Sequence, residues 1–164
     1  MHTAAVKEVF KKHDDFSDSY FSNYDSNKKA YIKRLKLVND YLVKIWAYFE
    51  KHLREDTLLI IFSDHGMSFG EKMGERAYGV YTYDYTIRVF STFIHPSLPK
   101  NMTIDEITET IDIMPTVLDF LNIKSDLRFK KMAGISLLNS INRKSSLWDN
   151  FFSKQKKFAY SETG

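Results

Sequence analysis

The stretch "LLIIFSDHGMSFGE", residues 58 to 71, joins an apolar run to a polar turn and is the most informative part of the sequence about the fold. Residues 57 to 63 are short, largely apolar and rich in β-formers, which predicts a strand buried on both faces, as in a parallel sheet covered by helices. The run stops at Asp64-His65-Gly66. Because ligands of open α/β sheets bind at the carboxyl ends of the strands, we expect these side chains to face a crevice.

Asp64 and His65 form a candidate metal site. An aspartate and a neutral imidazole are both good ligands for a divalent ion such as zinc or manganese. Gly66 permits a sharp backbone turn that lets both side chains reach one ion. The alternative is that Asp64 caps a following helix and His65 is an ordinary loop residue. Three residues by themselves leave both interpretations open.

The flanking sequence predicts helices and further strands around this turn. Residues 28 to 55 have the period of an amphipathic helix that packs one face on a core. Its apolar stripe comprises Leu35, Val38, Leu42, Ile45, Phe49 and Leu53, widened by Tyr31 and Trp46. Glu50 and Arg54 have the spacing of a surface ion pair.

Downstream of the turn, residues 64 to 79 hold four of the six glycines and predict a long loop. Residues 87 to 94 predict a second strand, and residues 156 to 162 a final one. Within residues 104 to 123 we expect a helix with Asp112 as N-cap and Pro115 in the first turn, and residues 134 to 141 predict a short helix or turn. The order of helix, strand and loop favours an α/β fold with a mostly parallel sheet flanked by helices.

Composition limits the possible functions. The chain has 164 residues and a net charge of +3, and its lysines occur as scattered pairs, so nucleic-acid binding is not indicated. The absence of cysteine excludes disulfides and thiolate metal sites. No apolar run approaches the length of a membrane span, and the sequence assigns no cellular compartment.

The order of these segments resembles the carboxyl-terminal part of the sulfatase family of the alkaline phosphatase superfamily. Five pieces carry the resemblance over roughly residues 28 to 164, and their shared order is more specific than any one of them. They are "AYIKRLKLVNDYLVKIWAYFEKHL", "DTLLIIFSDHG", "YDYTIRVFSTFIHPSLP", "TIDIMPTVLDFLNI" and "GISLLNSI".

The resemblance implies an alkaline-phosphatase-like α/β fold and a metal-dependent hydrolase or transferase acting on sulfate or phosphate esters. It implies that Asp64 and His65 bind a divalent ion (calcium, manganese, zinc or magnesium), and His65 argues against calcium, which prefers oxygen ligands. Many sulfatases have Asn at the second position. His is commoner in phosphatase-like and phosphoglycerol-transferring members, so the choice between sulfur and phosphorus stays open.

The chain departs from the family pattern in the loop that follows. Family members often place a His or Lys before the Tyr-Asp-Glu pattern, and here the nearest residue is Tyr78. Lys72 and Arg76 are the candidate substrate-binding cations. The usual Glu and Pro are replaced by Tyr85 and Phe90. Arg88 remains, and we expect it to be structural.

No residue of this chain is assigned as the catalytic nucleophile. A formylglycine site requires Cys or Ser followed closely by Pro and Arg, and no such run is present. We therefore expect a fragment, with residues 1 to 27 as a polar lead-in, residues 28 to 164 as a partial catalytic domain, and an amino-terminal half as a missing partner. Two alternatives remain: a fragment of a phosphoglycerol or phosphoethanolamine transferase or a phosphatase, and a non-catalytic remnant that acts as a binding module.

For several other polar residues, a structural role is expected in place of a catalytic or metal-binding one. Ser63 lies inside the predicted strand and is not expected to be a nucleophile. Asp112 is tempting as a third ligand, but its place before Pro115 favours the cap. Glu162 has nothing to support a role. Four further histidines have no partner at ligand spacing and are expected at the surface or in packing: His2, His13, His52 and His95.

Overall fold

The computed structural model describes residues 21–73, 81–123, 132–142 and 159–160. Its helices are α1 (Tyr24–His52), α2 (Asp84–Ile87), α3 (Ile113–Phe120) and α4 (Leu138–Asn142), and its strands are β1 (Leu59–Phe62) and β2 (Ser91–Ile94). The chain divides into two compact units, one of Met1–Phe93 with Glu162–Gly164 and one of Ile94–Ser161. Each unit has its own small set of buried side chains among the described residues.

Helix α1 confirms the predicted amphipathic helix, although it begins at Tyr24 rather than at residue 28. It contains no Gly or Pro, and its charges suit the helix dipole, with Asp25 in the first turn and Lys51 and His52 in the last. Arg54 hydrogen-bonds to Glu50, as the spacing predicts.

The prediction that α1 buries its apolar stripe is wrong for most of the helix. Phe49 is buried, but Leu35, Val38, Leu42 and Ile45 are between 37% and 54% exposed. Helical periodicity fixes which residues share a face, but it does not supply a surface for that face to pack on.

Strands β1 and β2 form a two-stranded sheet. The Ser63 amide donates to the Phe90 carbonyl at 3.1 Å, so the end of β1 lies beside the start of β2 and the strands are antiparallel. Both predicted strands are confirmed but shorter, and Ile87, the first residue of the second prediction, belongs to α2. The expectation of a mostly parallel sheet is not confirmed in the described residues, and β1 is half-buried, with Phe62 exposed, instead of covered on both faces.

The second unit is organised around Asp112, which is the last residue of a 3-10 turn (Thr110–Asp112) and directly precedes α3. Asp112 is fully buried, and its carboxylate accepts hydrogen bonds from the Glu109 amide at 2.9 Å and the Ile135 amide at 2.8 Å. It occupies the predicted N-cap position of α3, but its side chain does not cap that helix. The predicted short helix at residues 134 to 141 is confirmed by α4, whereas most of the predicted last strand lies outside the described residues.

Candidate functional site

The Asp64-His65-Gly66 turn follows β1 and packs against the segment that contains α2. The Gly66 amide donates to the Thr86 carbonyl at 2.8 Å, and the Met67 amide donates to the Tyr85 carbonyl at 2.9 Å. A Cβ atom at Gly66 would lie 2.2 Å from the Tyr85 carbonyl oxygen. The sequence indicated that Gly66 permits a sharp turn of the backbone. In the structure, glycine is required because the Tyr85 backbone lies so close, and not because of an unusual φ.

The contacts of His65 determine which ring nitrogen carries the proton. Its Nδ1 lies 2.6 Å from the Gly66 carbonyl oxygen. A carbonyl oxygen can only accept, so Nδ1 is the donor, and in the neutral ring the lone pair lies on Nε2. Metal-binding histidines commonly use this arrangement, in which one ring nitrogen donates to a backbone carbonyl and the other is the ligand atom.

Asp64 lies beside that second nitrogen. Its Oδ1 is 3.8 Å from His65 Nε2 and also accepts the His65 backbone amide at 2.9 Å. The Asp64 side chain is 85% exposed and that of His65 is 45% exposed. No helix begins within residues 65 to 73, so the alternative in which Asp64 caps a following helix does not apply.

The donor set and spacing are compatible with a divalent ion. Zinc binds imidazole nitrogen and carboxylate oxygen at about 2.0–2.2 Å. Two ligand atoms of one ion can therefore lie up to roughly 4 Å apart, and the pair at 3.8 Å falls within that limit. Within the described ranges, no group of three or more His, Cys, Asp or Glu side chains is arranged to hold a metal.

Of the two predicted substrate-binding cations, the structure describes Lys72 and not Arg76. The exposed Lys72 places its Nζ 4.3 Å from the centre of the Tyr83 ring, a cation–π contact. The Tyr83 ring also stacks on Tyr85 at 5.5 Å and meets Tyr81 edge-on at 5.9 Å. Arg76 lies outside the described residues.

Arg88 has the structural environment that the sequence predicts. Its guanidinium donates two hydrogen bonds to Asp84, at 2.9 and 3.0 Å, across one turn of backbone. These hydrogen bonds, together with the negative charge of Asp84, raise the pKa of Arg88 above its ordinary value. Arg88 therefore stays charged and is paired with Asp84.

Ser63, His95 and His52 also have contacts of a structural kind. Ser63 Oγ accepts the Phe90 amide at 3.2 Å and supports the strand pairing. His95 Nδ1 accepts the Ser97 amide at 3.1 Å, and its ring packs edge-on against Phe120. The His52 ring lies 4.7 Å from that of Tyr48. These contacts agree with surface and packing roles.

One group of contacts near the site was not predicted. Phe69, four residues after His65, packs its ring against Tyr24 and Tyr31 of α1, and Asn27 Nδ2 donates to the Phe69 carbonyl at 2.8 Å. The sequence assigns Tyr31 to the apolar stripe and treats residues before 28 as a loop. The spacing of Tyr24, Asn27 and Tyr31, which places them on one helix face, is the signal that could have indicated it.

Within the described ranges, no helix has both the length and the apolar character needed to cross a bilayer.

Comparison with known proteins shows which family the chain belongs to. No curated protein and no solved structure matches the chain. A family model described as Sulfatase matches residues 1–123, more than half of the sequence. The matched range differs from the expected residues 28 to 164, because it includes the first 27 residues and ends before the piece at residues 134 to 141. The match confirms the family, and the chain belongs to the sulfatase family.

Proposed function

We propose that this chain supplies part of the active site of a metal-dependent sulfuric ester hydrolase, with Asp64 and His65 as two ligands of a divalent ion. The observation that carries the proposal is the 3.8 Å separation of Asp64 Oδ1 and His65 Nε2. The hydrogen bond from His65 Nδ1 to the Gly66 carbonyl supports it, because that bond orients the ring and directs the lone pair to Nε2.

The residues of this chain then hold and orient charges. Asp64 contributes a negative oxygen ligand and His65 a neutral nitrogen ligand, a combination that suits zinc or manganese better than calcium. When bound, the ion supplies Lewis-acid stabilisation of the anionic oxygens of the ester.

Lys72 is the proposed substrate-binding cation. A sulfate monoester is an anion, and the exposed ammonium of Lys72 is held close to the Tyr83 ring. Arg76 is a second proposed cation because it lies four residues after Lys72 in the sequence. Both would attract and orient the ester and would not take part in bond cleavage.

The remaining parts of the site are proposed to come from an amino-terminal half outside this sequence. Zinc sites usually have about four ligands, and the family resemblance implies that further acidic ligands and the nucleophile would lie upstream. In the complete domain the sheet would be mostly parallel and alkaline-phosphatase-like. We therefore expect this chain to be a fragment with no turnover of its own.

A second candidate substrate class follows from His65. Because histidine at this position is commoner in phosphatase-like and phosphoglycerol- or phosphoethanolamine-transferring members, the same two ligands would serve a phosphate ester. Comparing sulfate and phosphate ester hydrolysis by this chain combined with a nucleophile-bearing half distinguishes the two.

The direct test of the proposed metal site is calorimetric titration of the purified chain with zinc chloride. We expect one binding event that is lost in Asp64→Asn and in His65→Ala. His52→Gln and Asp105→Asn are matched controls, and both should retain it. If zinc binds equally to wild type and His65→Ala, the proposed site is wrong, and the alternative of a non-catalytic binding module is favoured.

A further inference from the structure

The loop that begins with the Asp64-His65-Gly66 turn contacts helix α1 through Phe69, by both its ring and its main-chain carbonyl. The Phe69 ring lies 5.1 Å from that of Tyr31 and 6.0 Å from that of Tyr24, with interplanar angles of 54° and 73°. Both are favourable aromatic geometries. Asn27 adds a hydrogen bond from its side-chain amide to the Phe69 carbonyl. We name Tyr24, Asn27 and Tyr31 the Phe69 seat.

The chain between His65 and Phe69 is held on its other side as well. Gly66 and Met67 donate backbone hydrogen bonds to the segment of Tyr85 and Thr86. Because two consecutive amides are bound in this way, the backbone directly after His65 has little freedom to move.

The intervening Ser68 completes the connection between the two attachments. Its side chain is fully buried and donates to Glu71 Oε2 at 2.9 Å, and the same carboxylate oxygen accepts the Phe69 amide at 2.7 Å. The Gly70 amide donates to Ser68 Oγ at 3.1 Å. From Gly66 to Glu71 each residue is therefore hydrogen-bonded either to another residue of this loop or to a neighbouring segment.

From this chain of contacts we infer that the Phe69 seat consists of positioning residues that hold Asp64 and His65 in the geometry for one metal ion. The inference rests on the proposed metal site and extends it to a helix that contributes no ligand. Packing of Phe69 on the seat restrains the turn. The conformational entropy of the two exposed ligands is therefore reduced before the ion binds, and less of it is lost on binding.

The test compares zinc affinity and backbone hydrogen exchange in three variants of the whole chain, which we call the seat variants. Asn27→Ala and Tyr31→Ala change the Phe69 seat, and Phe69→Ala removes the ring that packs on it. Matched controls on the same helix are Asn39→Ala and Tyr41→Ala, which remove the same side chains at exposed positions. Tyr31→Phe keeps the ring contact and should restore wild-type behaviour.

We expect the seat variants to bind zinc about 10–100-fold more weakly, which is the effect typical of residues that orient metal ligands. Exchange of the Gly66 and Met67 amides should also become faster. The control variants and Tyr31→Phe should retain wild-type values in both measurements. A role confined to overall stability would not weaken zinc binding selectively in the seat variants.

Two outcomes would overturn the inference, and they differ from failure of the proposed function. If the seat variants bind zinc as wild type does while Asp64→Asn does not, the seat has no positioning role and the metal site stands. If wild type binds no zinc, the proposed function fails, and amide exchange alone tests whether the seat restrains the turn. Exchange of the Gly66 and Met67 amides at the wild-type rate in the seat variants would then overturn the inference too. Should Phe69→Ala unfold, Asn27→Ala still provides the comparison, because it removes the hydrogen bond to the Phe69 carbonyl and leaves all three rings.

Discussion

Gly66 is the residue at which the site tolerates the least change. A methyl group there would approach the backbone oxygen of Tyr85 to 2.2 Å, and backbone cannot yield as the end of a flexible side chain can. We expect Gly66→Ala to lower the free energy of unfolding by about 1–3 kcal/mol, as overpacking typically does. Urea denaturation measures the change.

The control for that substitution is Met73→Ala in the same loop, where the side chain is 82% exposed. It should alter the free energy of unfolding by no more than about 0.5 kcal/mol. Equal stability of Gly66→Ala and wild type would contradict the close approach of the turn to Tyr85.

Asp112 provides a prediction that separates a structural acid from a metal ligand. Its buried carboxylate accepts the Glu109 and Ile135 amides, and removing it leaves both donors without that acceptor. We expect Asp112→Ala to cost about 2 kcal/mol or more in unfolding free energy, with zinc affinity unchanged. The exposed Asp105→Asn is the control. A loss of zinc binding without a loss of stability would instead support the ligand interpretation.

The residues that the sequence predicted correctly are those whose role depends on local order. Arg54 and Arg88 each find an acid four residues earlier in the chain. The Phe69 seat could not be predicted in the same way, because residues 27 and 69 are distant in sequence and meet only after α1, β1 and the turn are arranged in space. The Asp64–His65 metal site remains a prediction.

At the scale of elements, α3 is attached to the segment before α4 by side-chain hydrogen bonds, one of them from Ser136 to Asp119 and another to Thr116. Thr116 is fully buried; its hydroxyl donates to the Asp112 carbonyl at 2.6 Å and accepts the Leu137 amide at 3.0 Å. We expect Thr116→Val to lower the free energy of unfolding by about 1–3 kcal/mol, because the Leu137 amide is left buried without that acceptor. Exchange of the Leu137 amide should also accelerate.

Thr116→Ser is the matched control, since it keeps the hydroxyl and removes only a methyl group. Its Leu137 amide should exchange at nearly the wild-type rate. If serine accelerates this exchange and valine does not, the methyl contact and not the hydrogen bonds of Thr116 holds α3 to this segment.

The elements also separate what periodicity can predict from what it cannot. The spacing of Leu35, Val38, Leu42 and Ile45 predicts a helix, and α1 is that helix. Burial of the stripe depends on a second surface, and these side chains are half-exposed. The run of residues 57 to 63 likewise predicts a strand, but the direction of its neighbour depends on the path of the intervening chain, which returns to the same end of the sheet through α2.

For the whole molecule, family membership implies an alkaline-phosphatase-like α/β fold, while the described residues contain two antiparallel strands. The exposed stripe of α1 gives this difference a measurable consequence. Contiguous apolar surface favours association in water, so we expect the purified chain to self-associate at high concentration. Replacing Val38 and Ile45 with lysine should shift the light-scattering mass towards that of a monomer.

Replacement of Lys33 and Lys36 with glutamine is the control for that experiment, because it changes charge on the same helix without removing apolar surface. Self-association that persists in the Val38 and Ile45 variant would mean that another surface is responsible.

The last prediction concerns catalysis by the chain as a whole. Two ligands leave a metal ion with most of its coordination open, and the sequence contains no run that could form a formylglycine nucleophile. We expect no turnover of nitrophenyl sulfate or nitrophenyl phosphate by the purified chain with zinc, manganese, magnesium or calcium, even where zinc binding is measurable. Asp64→Asn should match wild type, because both have only background hydrolysis. Metal-dependent turnover that disappears in Asp64→Asn would contradict this expectation. It would mean that the nucleophile and the remaining ligands lie within these 164 residues, and the choice of sulfate or phosphate ester could then be measured on this chain alone.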